Sequence, residues 1–287
     1  MQPNSAADAK RPRSRPLLVG FSVLVAVLFG FLAVKSAGSS KPPTSPTTTP
    51  ATISAGPSTS SNSAHSTVPA TPAPTLAPGS SLIATASRST LLVYAAPSAT
   101  SRIVLNLPNP WFVTGDTTDR VPQVLGVAAG HAPAGWVHVV LPVRPNGSTG
   151  WVQAQDVTET SVPFHVVVHL ATHQLVVTQG TSILLTDTVA IGAPATPTPP
   201  GHYYVRVLFQ APDPNTVYGP WDFGLSAHSD ALTTFEGSDA EIGIHGNNDA
   251  SVLGSSVTHG CVRMSNAGIT RLSGILPLGT PVDILAQ

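Results

Sequence analysis

The sequence is poor in charge, in aromatic residues and in cysteine. Only 9% of its 287 residues are charged, 6% are aromatic, and Cys261 is the single cysteine. One cysteine excludes an intramolecular disulfide. The net charge is −1, and beyond residue 35 the chain carries more acidic than basic residues. No segment there is basic enough to neutralise a row of phosphates, so nucleic acid is not an expected partner.

A long apolar run occurs near the amino terminus. Residues 17–34 read LLVGFSVLVAVLFGFLAV, which is 18 residues without a charge. As a helix the run would be about 27 Å long, just enough to cross the core of a bilayer. Four basic residues precede it and Lys35 follows it, so the positive-inside rule places residues 1–16 in the cytoplasm and the rest outside. We predict a single-pass transmembrane signal-anchor, with a cleaved signal peptide as the alternative.

Residues 36–80 have the composition of a tether. Of these 45 residues, 36 are Ser, Thr, Pro or Ala. Such a segment has too little apolar surface to offset the entropy of ordering. We predict a disordered, semi-extended linker that spans roughly 35–40 Å as a coil.

From residue 81 onward, short apolar runs alternate with Pro, Gly and Asn. The absence of a sustained 3.6-residue period predicts an all-β region over residues 81–160. The turn Pro145-Asn146-Gly147 predicts a hairpin between the last two of its candidate strands. The candidate strands are Leu91–Tyr94, Ile103–Leu107, Trp136–Leu141 and Gly150–Val152.

Two tryptophans flank the predicted hairpin turn. They stand in Gly135-Trp136-Val137 and in Gly150-Trp151-Val152, and on these pairs residues 81–160 resemble a bacterial SH3-like β-barrel. Trp136 and Trp151 would form a ligand platform or pack the hairpin and the small core.

Residues 161–287 are predicted to form a second domain that opens with three strands. His165, His169 and His173 follow a four-residue spacing there, which on a helix would suggest metal ligands. The surrounding Val and Leu residues favour strand, along which the three histidines would spread over ~27 Å. We therefore expect exposed histidines that bind no metal, and we expect no cofactor.

The residues suited to chemistry are gathered in residues 241–266, which read EIGIHGNNDASVLGSSVTHGCVRMSN. An unpaired thiol outside the cell is prone to oxidation, so Cys261 is most simply explained as a reactive group. A thiol nucleophile needs an imidazole to become a thiolate at neutral pH, and backbone N–H groups to hold an oxyanion. All ten histidines precede Cys261, which excludes a papain-like peptidase, whose nucleophile comes first.

The order of residues around Cys261 is specific. His245-Gly246 followed by Thr258-His259-Gly260-Cys261-Val262-Arg263 resembles the motif of the YkuD-like L,D-transpeptidases, with Thr258 in place of the commoner Ser. Upstream, Thr198-Pro199-Pro200-Gly201 resembles the Thr-Pro-x-Gly segment of that family. The resemblance covers residues 162–287 and implies a β-rich catalytic fold. The predicted membrane anchor, tether and first β domain also suit that family, so we expect a mainly β, membrane-anchored chain. In that chain an SH3-like β-barrel domain precedes a β-rich catalytic domain at residues 161–287.

The resemblance implies a two-step acyl transfer on peptidoglycan stem peptides, on the cell-wall side of a bacterial cell membrane. Cys261 would attack the carbonyl before the terminal D-residue of a tetrapeptide donor, release D-alanine and form a thioester. The amine of a diamino-acid acceptor would then attack the thioester. Carbapenem-type inhibitors would acylate the same thiol.

Three alternatives stay open at this point. With water as the acceptor the protein would be an L,D-carboxypeptidase. With a protein amine as the acceptor it would be a protein-to-peptidoglycan ligase. The alternative of another class is a catalytically silent wall-binding protein.

The resemblance also implies roles for individual residues. His245 would be the general base, oriented by the Gly246 carbonyl, and His259 would line the site. Gly260 and Cys261 would supply the N–H groups of an oxyanion hole. Arg263 would brace the loop or meet a substrate carboxylate. The expected substrate-binding residues are Gly246, Asn247, Thr258, Arg263 and Tyr218.

Two further groups of residues are less specific. Residues 212–230, with Tyr218, Trp221, Phe223 and His228, would cover the cleft or simply pack a long loop. A group of acids would attract amine-bearing stems or form a solvated surface. These acids are Asp230, Glu236, Asp239, Glu241 and Asp249.

Overall fold

The computed structural model describes residues 76–113 and 120–287. The predicted cytoplasmic tail, the predicted membrane segment at residues 17–34 and most of the predicted tether lie outside the described residues. Within the two described ranges, no helix is long and apolar enough to cross a bilayer.

The first β region folds into two antiparallel sheets around one core. One sheet has the strand order β6-β1-β9 and the other the order β3-β2-β8-β7, while β4 and β5 pair separately. Every second residue of β7 is buried, which is the period expected of a sheet with one face on a core. The strands are β1 (Ser81–Ala86), β2 (Thr90–Tyr94), β3 (Ile103–Pro108), β4 (Trp111–Phe112), β5 (Arg120–Val121), β6 (Val124–Gly126), β7 (Trp136–Val140), β8 (Thr149–Gln153) and β9 (Val157–Val162).

The predicted hairpin is confirmed. β7 and β8 pair in antiparallel register with His138 opposite Trp151, and Gly147 in the connecting loop has φ +79°, a left-handed value that suits glycine. The Trp151 ring stacks on His138 with 4.3 Å between ring centroids, and the Trp136 ring meets Tyr94 edge-on at 5.3 Å. Both tryptophans therefore pack within the first β region.

The second β region is built on an eight-stranded sheet. Its strand order is β12-β11-β10-β19-β14-β15-β16-β18, in which only β10–β19 and β16–β18 are parallel neighbours. A short parallel pair joins β13 and β17. The elements are β10 (Phe164–His169), β11 (Gln174–Gln179), β12 (Ser182–Thr188), β13 (Ile191–Gly192), β14 (Gly201–Gln210), β15 (Trp221–His228), β16 (Glu241–His245), β17 (Ser256–Thr258), β18 (Val262–Arg263), α1 (Asn266–Ser273) and β19 (Pro281–Leu285).

β14 contributes to both cores. Tyr203 and Tyr204 are consecutive residues of β14, and their side chains point to opposite faces of the strand. Tyr203 packs in the core of the eight-stranded sheet, and Tyr204 packs in the core of the first β region. Gly126 on β6 permits the close approach, because a Cβ there would lie 3.0 Å from the Tyr204 ring. The two β regions therefore share packed side chains.

Side chains from distant segments form one row across the neighbouring strands β15, β16 and β18. Asp222 lies opposite His245, and His245 lies beside Arg263. Their neighbours Phe223 and Ile244 are buried in the core. Because successive side chains of a strand point to opposite faces, the row lies on the face turned away from that core.

The three histidines at four-residue spacing are half-buried, so the expectation that they are exposed is wrong. A turn follows β10, which separates His173 from His165 and His169. His165 Nε2 lies 2.9 Å from Asp283 Oδ2, and His173 Nε2 lies 3.0 Å from Ser256 Oγ. In the described part of the chain, no three His, Cys, Asp or Glu side chains group as metal ligands would.

Helix α1 was not anticipated from the sequence. Ser265 caps it, since its hydroxyl accepts a hydrogen bond from Gly268 N–H. Ile269 and Leu272 are its buried side chains, and their spacing of three residues marks one face of a helix. In the sequence, the capping residue Ser265 and the three-residue spacing of Ile269 and Leu272 were the features that could have predicted this helix.

Candidate active site

Cys261 lies in a bend between β17 and β18. Its Sγ accepts a hydrogen bond from Gly243 N–H at 3.4 Å. Gly260 has φ +122°, where a side chain is strained, and a Cβ there would lie 2.9 Å from Ile242 Cδ1. The chain therefore turns at His259 and Gly260, directly before Cys261.

Two buried threonine hydroxyls hold this bend. Thr258 Oγ1 donates to Cys261 O at 2.6 Å and accepts from Gly260 N–H at 3.2 Å. Thr198 Oγ1 donates to Gly260 O at 2.7 Å and accepts from Gly192 N–H at 2.8 Å. Thr258, which we expected to bind substrate, thus uses its hydroxyl inside the loop.

The predicted oxyanion hole is only half available. Gly260 N–H is engaged by Thr258, whereas Cys261 N–H donates to no group of the described residues. The free donor beside Sγ is therefore the N–H of Cys261 itself.

His245 is the last residue of β16 and is 1% exposed. Its Nδ1 lies 2.8 Å from Gly246 O, so the contact expected to orient the ring is present. Burial, the largest cause, lowers the pKa of His245 to about 4, against the opposing effect of the Gly246 carbonyl. The imidazole is therefore neutral near pH 7, and a neutral ring keeps one nitrogen lone pair that accepts a proton.

The Cys261 thiol is also neutral in this conformation. Burial, followed by the negative charge of Asp222, raises the pKa of Cys261 to about 12, and the hydrogen bond from Gly243 opposes this only in part. The expected thiolate at neutral pH is therefore not what the structure shows. Attack by Sγ requires a proton transfer to a base at the same time.

Asp222 is a site residue that the sequence analysis missed. It lies opposite His245 on β15, and a Cβ on Gly243 would lie 2.5 Å from Asp222 Oδ1. This oxygen is buried and has no hydrogen-bond partner in the described chain. Burial raises the pKa of Asp222 to about 7. Only the register of β15 against β16 reveals this placement.

A cover over the site comes from two segments. The Tyr218 ring lies 5.0 Å from the His245 ring between centroids, and Tyr218 Oη donates to Glu236 Oε2 at 2.7 Å. The His259 ring is exposed and lies 5.1 Å from the Phe235 ring. His259 therefore belongs to the rim of the site, and no hydrogen bond joins it to Cys261 among the described residues.

The stretch 212–230 is not one covering loop. Trp221–His228 form β15, Phe223 is 1% exposed in the core, and His228 is buried beside Asp239. Of the four side chains considered as a cover, Tyr218 is the one that lies over His245.

The first β region holds the segment that carries Glu236. Arg144 Nη2 donates to Leu232 O at 2.8 Å and to Asp239 O at 3.0 Å. Asn146 Nδ2 donates to His228 O at 2.7 Å, and its Oδ1 accepts from His228 N–H at 2.9 Å. The loop of the β7–β8 hairpin thus contacts the cover of the site.

The remaining acids named from the sequence have local partners. Asp230 accepts from Asn146, Asp239 and Glu241 lie beside His228, and Asp249 accepts from Ser251. These contacts are structural.

Two expected substrate-binding residues keep a buried polar atom without a partner in the described ranges. These atoms are Asn247 Oδ1 and Arg263 Nε. Asn247 N–H itself donates to Asn266 Oδ1 at 2.8 Å. A Cβ on Gly246 would collide with that same oxygen, so Gly246 shapes the turn.

Comparison with known proteins identifies the family. The L,D-transpeptidase catalytic domain model (YkuD) matches residues 163–284. Bacillus subtilis YqjB, which bears an L,D-transpeptidase name, is 32% identical over 124 residues, covering 42% of this chain and 70% of that protein. This chain belongs to the L,D-transpeptidase family. B. subtilis YkuD, named likewise, is 28% identical over 124 residues, covering 43% of this chain and 67% of that protein.

Solved L,D-transpeptidases align at low similarity. L,D-transpeptidase 3 from Mycobacterium tuberculosis, in complex with a faropenem-derived adduct, has a TM-score of 0.37 and 15% identity over 56% of this chain and 92% of that one. For an Enterococcus faecium L,D-transpeptidase the TM-score is 0.34 at 20% identity, over 43% of this chain and half of that one. These scores are too low for a residue-by-residue comparison.

The region that the family model matches contains the whole candidate site, from Thr198 to Arg263. Residues 81–160 lie outside it. The SH3-like character of that first region stays a prediction.

Proposed function

We propose that this L,D-transpeptidase-family chain cross-links peptidoglycan stem peptides through a thioester on Cys261. The observation that supports this most directly is the position of Sγ against Gly243, two residues before His245 on the same strand. In this family member, a neutral thiol lies directly before β18, and a neutral buried imidazole ends the neighbouring strand β16.

In the first half-reaction, Sγ attacks the carbonyl carbon before the terminal D-residue of a tetrapeptide. His245 takes the thiol proton through the lone pair that its neutral ring keeps. The developing oxyanion would be held by Cys261 N–H. When the C–N bond breaks, the imidazolium returns the proton to the departing amine, so D-alanine leaves and the thioester remains.

In the second half-reaction, an amine of a diamino acid on another stem attacks the thioester. The C–N bond forms, the C–S bond breaks, and the thiolate regains a proton. Tyr218 and Glu236, joined over His245, would limit the access of water and favour the amine. We propose that carbapenem-type inhibitors acylate Cys261 in the same way as the donor.

The decisive experiment is mass spectrometry of the full chain after incubation with a disaccharide-tetrapeptide. The expected adduct has the mass of the donor less D-alanine. Cys261→Ala is the matched control, because it removes one sulfur and leaves the bend its backbone hydrogen bonds. No adduct on the wild type, or the same adduct on Cys261→Ala, would contradict the proposal. Products made with water alone would favour an L,D-carboxypeptidase.

We further propose that the chain is anchored in a bacterial cell membrane by residues 17–34, with residues 36–80 as a tether and residues 81–160 as an SH3-like domain on the cell-wall side. The support is the uncharged run of 18 residues preceded by four basic residues. A chain that starts at residue 76 is expected to be soluble and active, while the full chain fractionates with membranes. A mature chain beginning at Ala37 would show a cleaved signal peptide instead.

A further inference from the structure

Asp222 is held against the residue that also touches the nucleophile. A Cβ on Gly243 would lie 2.5 Å from Asp222 Oδ1, and Gly243 N–H donates to Cys261 Sγ at 3.4 Å. Because Gly243 has no side chain, the carboxyl of Asp222 occupies the space over its Cα. One glycine therefore separates the carboxyl from the thiol.

This carboxyl lacks the partner that a buried acid normally has. Oδ1 is shielded from solvent and accepts no hydrogen bond from the described residues. Burial raises the pKa of Asp222 to about 7. Buried charges in proteins are normally paired, so this position is suited to a cation that arrives with a ligand.

Asp222 does not act as the third member of a Cys–His–Asp triad. His245 Nδ1 has Gly246 O as its partner at 2.8 Å, and Asp222 Oδ1 bonds to neither ring nitrogen in the described structure. The carboxyl is available for another group.

A cavity beside Asp222 has the shape and lining for an aliphatic amine. Its volume is about 380 Å³. Its wall is mostly apolar, with Phe209, Ala211, Pro212 and Tyr218 contributing to it. The polar residues of the lining are Gln210, Thr216, the exposed Asp213, and Asp222 with its buried Oδ1. Mostly apolar walls with a few polar groups suit an alkyl chain that ends in a charge.

We propose that Asp222 binds the ammonium group of the acceptor and removes its proton, so that the free amine attacks the thioester on Cys261. This inference rests on the proposed function and names the base of its second half-reaction. An ammonium ion has no lone pair and cannot attack a carbonyl, so it must first lose a proton.

The acceptor ammonium ion brings three protons to this step. Of the three on the ammonium, one passes to the Asp222 carboxylate and one stays on the new amide. The third passes to His245 when the C–N bond forms, and then to the thiolate when the C–S bond breaks. Asp222 later releases its proton to water.

The test separates the two half-reactions in the full chain. Disaccharide-tetrapeptide serves as the donor and Nα-acetyl-L-lysine amide as the acceptor, and mass spectrometry follows thioester, amide and hydrolysed product. In Asp222→Asn the negative charge that helps to raise the pKa of Cys261 is gone, so we expect thioester formation to be no slower than in the wild type. We expect aminolysis of that thioester, measured relative to its hydrolysis, to be reduced on the order of 10²-fold. Asp222→Glu keeps the carboxyl and is expected to retain more aminolysis than Asp222→Asn.

The matched control is Asp156→Asn, an acid of the first β region outside the cavity that pairs with Arg88; its ratio of aminolysis to hydrolysis should equal that of the wild type. If the wild type forms no thioester, the proposed function fails, whatever Asp222 does. If thioester forms and Asp222→Asn aminolyses at the wild-type rate, this inference is overturned. It is equally overturned if Asp222→Asn slows thioester formation as much as aminolysis, because Asp222 would then recognise the donor.

Discussion

The bend that carries Cys261 differs from the cleft beside it, which we define by His245, Asp222, Asn247 and Arg263. The difference lies in whether their buried polar groups have hydrogen-bond partners. In the bend, the hydroxyls of Thr198 and Thr258 make four hydrogen bonds to backbone groups. In the cleft, three buried polar atoms have no partner among the described residues, namely Asp222 Oδ1, Asn247 Oδ1 and Arg263 Nε. The fold thus fixes the backbone around Cys261, the proposed nucleophile, with completed hydrogen bonds. Beside it the fold leaves buried polar atoms without partners among the described residues, where a ligand can bind them.

The largest expected effect comes from replacing His245, the buried histidine of the cleft. We expect His245→Ala to reduce the rate of thioester formation about 10²–10⁴-fold, the usual range for the loss of a general base. His259→Ala should cost less, because His259 lies at the exposed rim. The rates of adduct formation with a carbapenem measure both. A larger loss in His259→Ala than in His245→Ala would reverse the assignment of the base.

The pH dependence of thiol reactivity tests the buried cleft directly. Because the pKa of Cys261 is raised to about 12, the reactive thiolate is scarce throughout the neutral range. Alkylation of the wild type by iodoacetamide should therefore rise about tenfold per pH unit between pH 7 and 10. A plateau below pH 8 would instead indicate a preformed thiolate–imidazolium pair.

The bend is tested by removing one hydroxyl. Thr258→Val keeps the shape of the side chain but leaves Cys261 O and Gly260 N–H without their partner. At ~1 kcal/mol for each hydrogen bond, we expect a loss of about 1–3 kcal/mol in the free energy of unfolding. Thioester formation should slow about tenfold as the bend loosens. Thr258→Ser retains the hydroxyl, so it should behave like the wild type in urea unfolding and in the acylation assay. If Thr258→Val is as stable and as active as the wild type, the hydroxyl does not hold the bend.

The last expected effect is a gain in stability when the charge of Asp222 is removed. An unfolded chain releases the Asp222 proton near pH 4, whereas the folded protein keeps it up to about pH 7. Between these values the folded state binds more protons, so this group lowers stability as the pH rises. Asp222→Asn removes that cost, and at pH 8 we expect its free energy of unfolding to exceed that of the wild type by about 1–3 kcal/mol. Urea unfolding should show that this difference in the free energy of unfolding vanishes near pH 4. If Asp222→Asn is less stable than the wild type at pH 8, the carboxylate has a partner in the folded protein.

Local patterns predicted much of the secondary structure. The runs at Leu91–Tyr94 and Ile103–Leu107 fall within β2 and β3, and the Asn-Gly turn lies in the loop of the β7–β8 hairpin. These features depend on neighbours in the chain, so a sequence shows them. Helix α1 was not predicted because eight residues give little periodicity, and its cap at Ser265 follows closely on the site motif.

The sequence by itself determined the family and singled out Cys261 as the proposed nucleophile, because the motif from His245 to Arg263 is short, contiguous and built around the single cysteine. Tertiary structure decided which residues surround that cysteine and in what protonation state. Asp222 reaches the site through the pairing of β15 with β16, and Thr198 reaches the bend from 62 residues away in the chain. Burial then sets the pKa values of Cys261, His245 and Asp222. Strand register and exclusion of water arise between distant segments, and no local pattern in the chain encodes them.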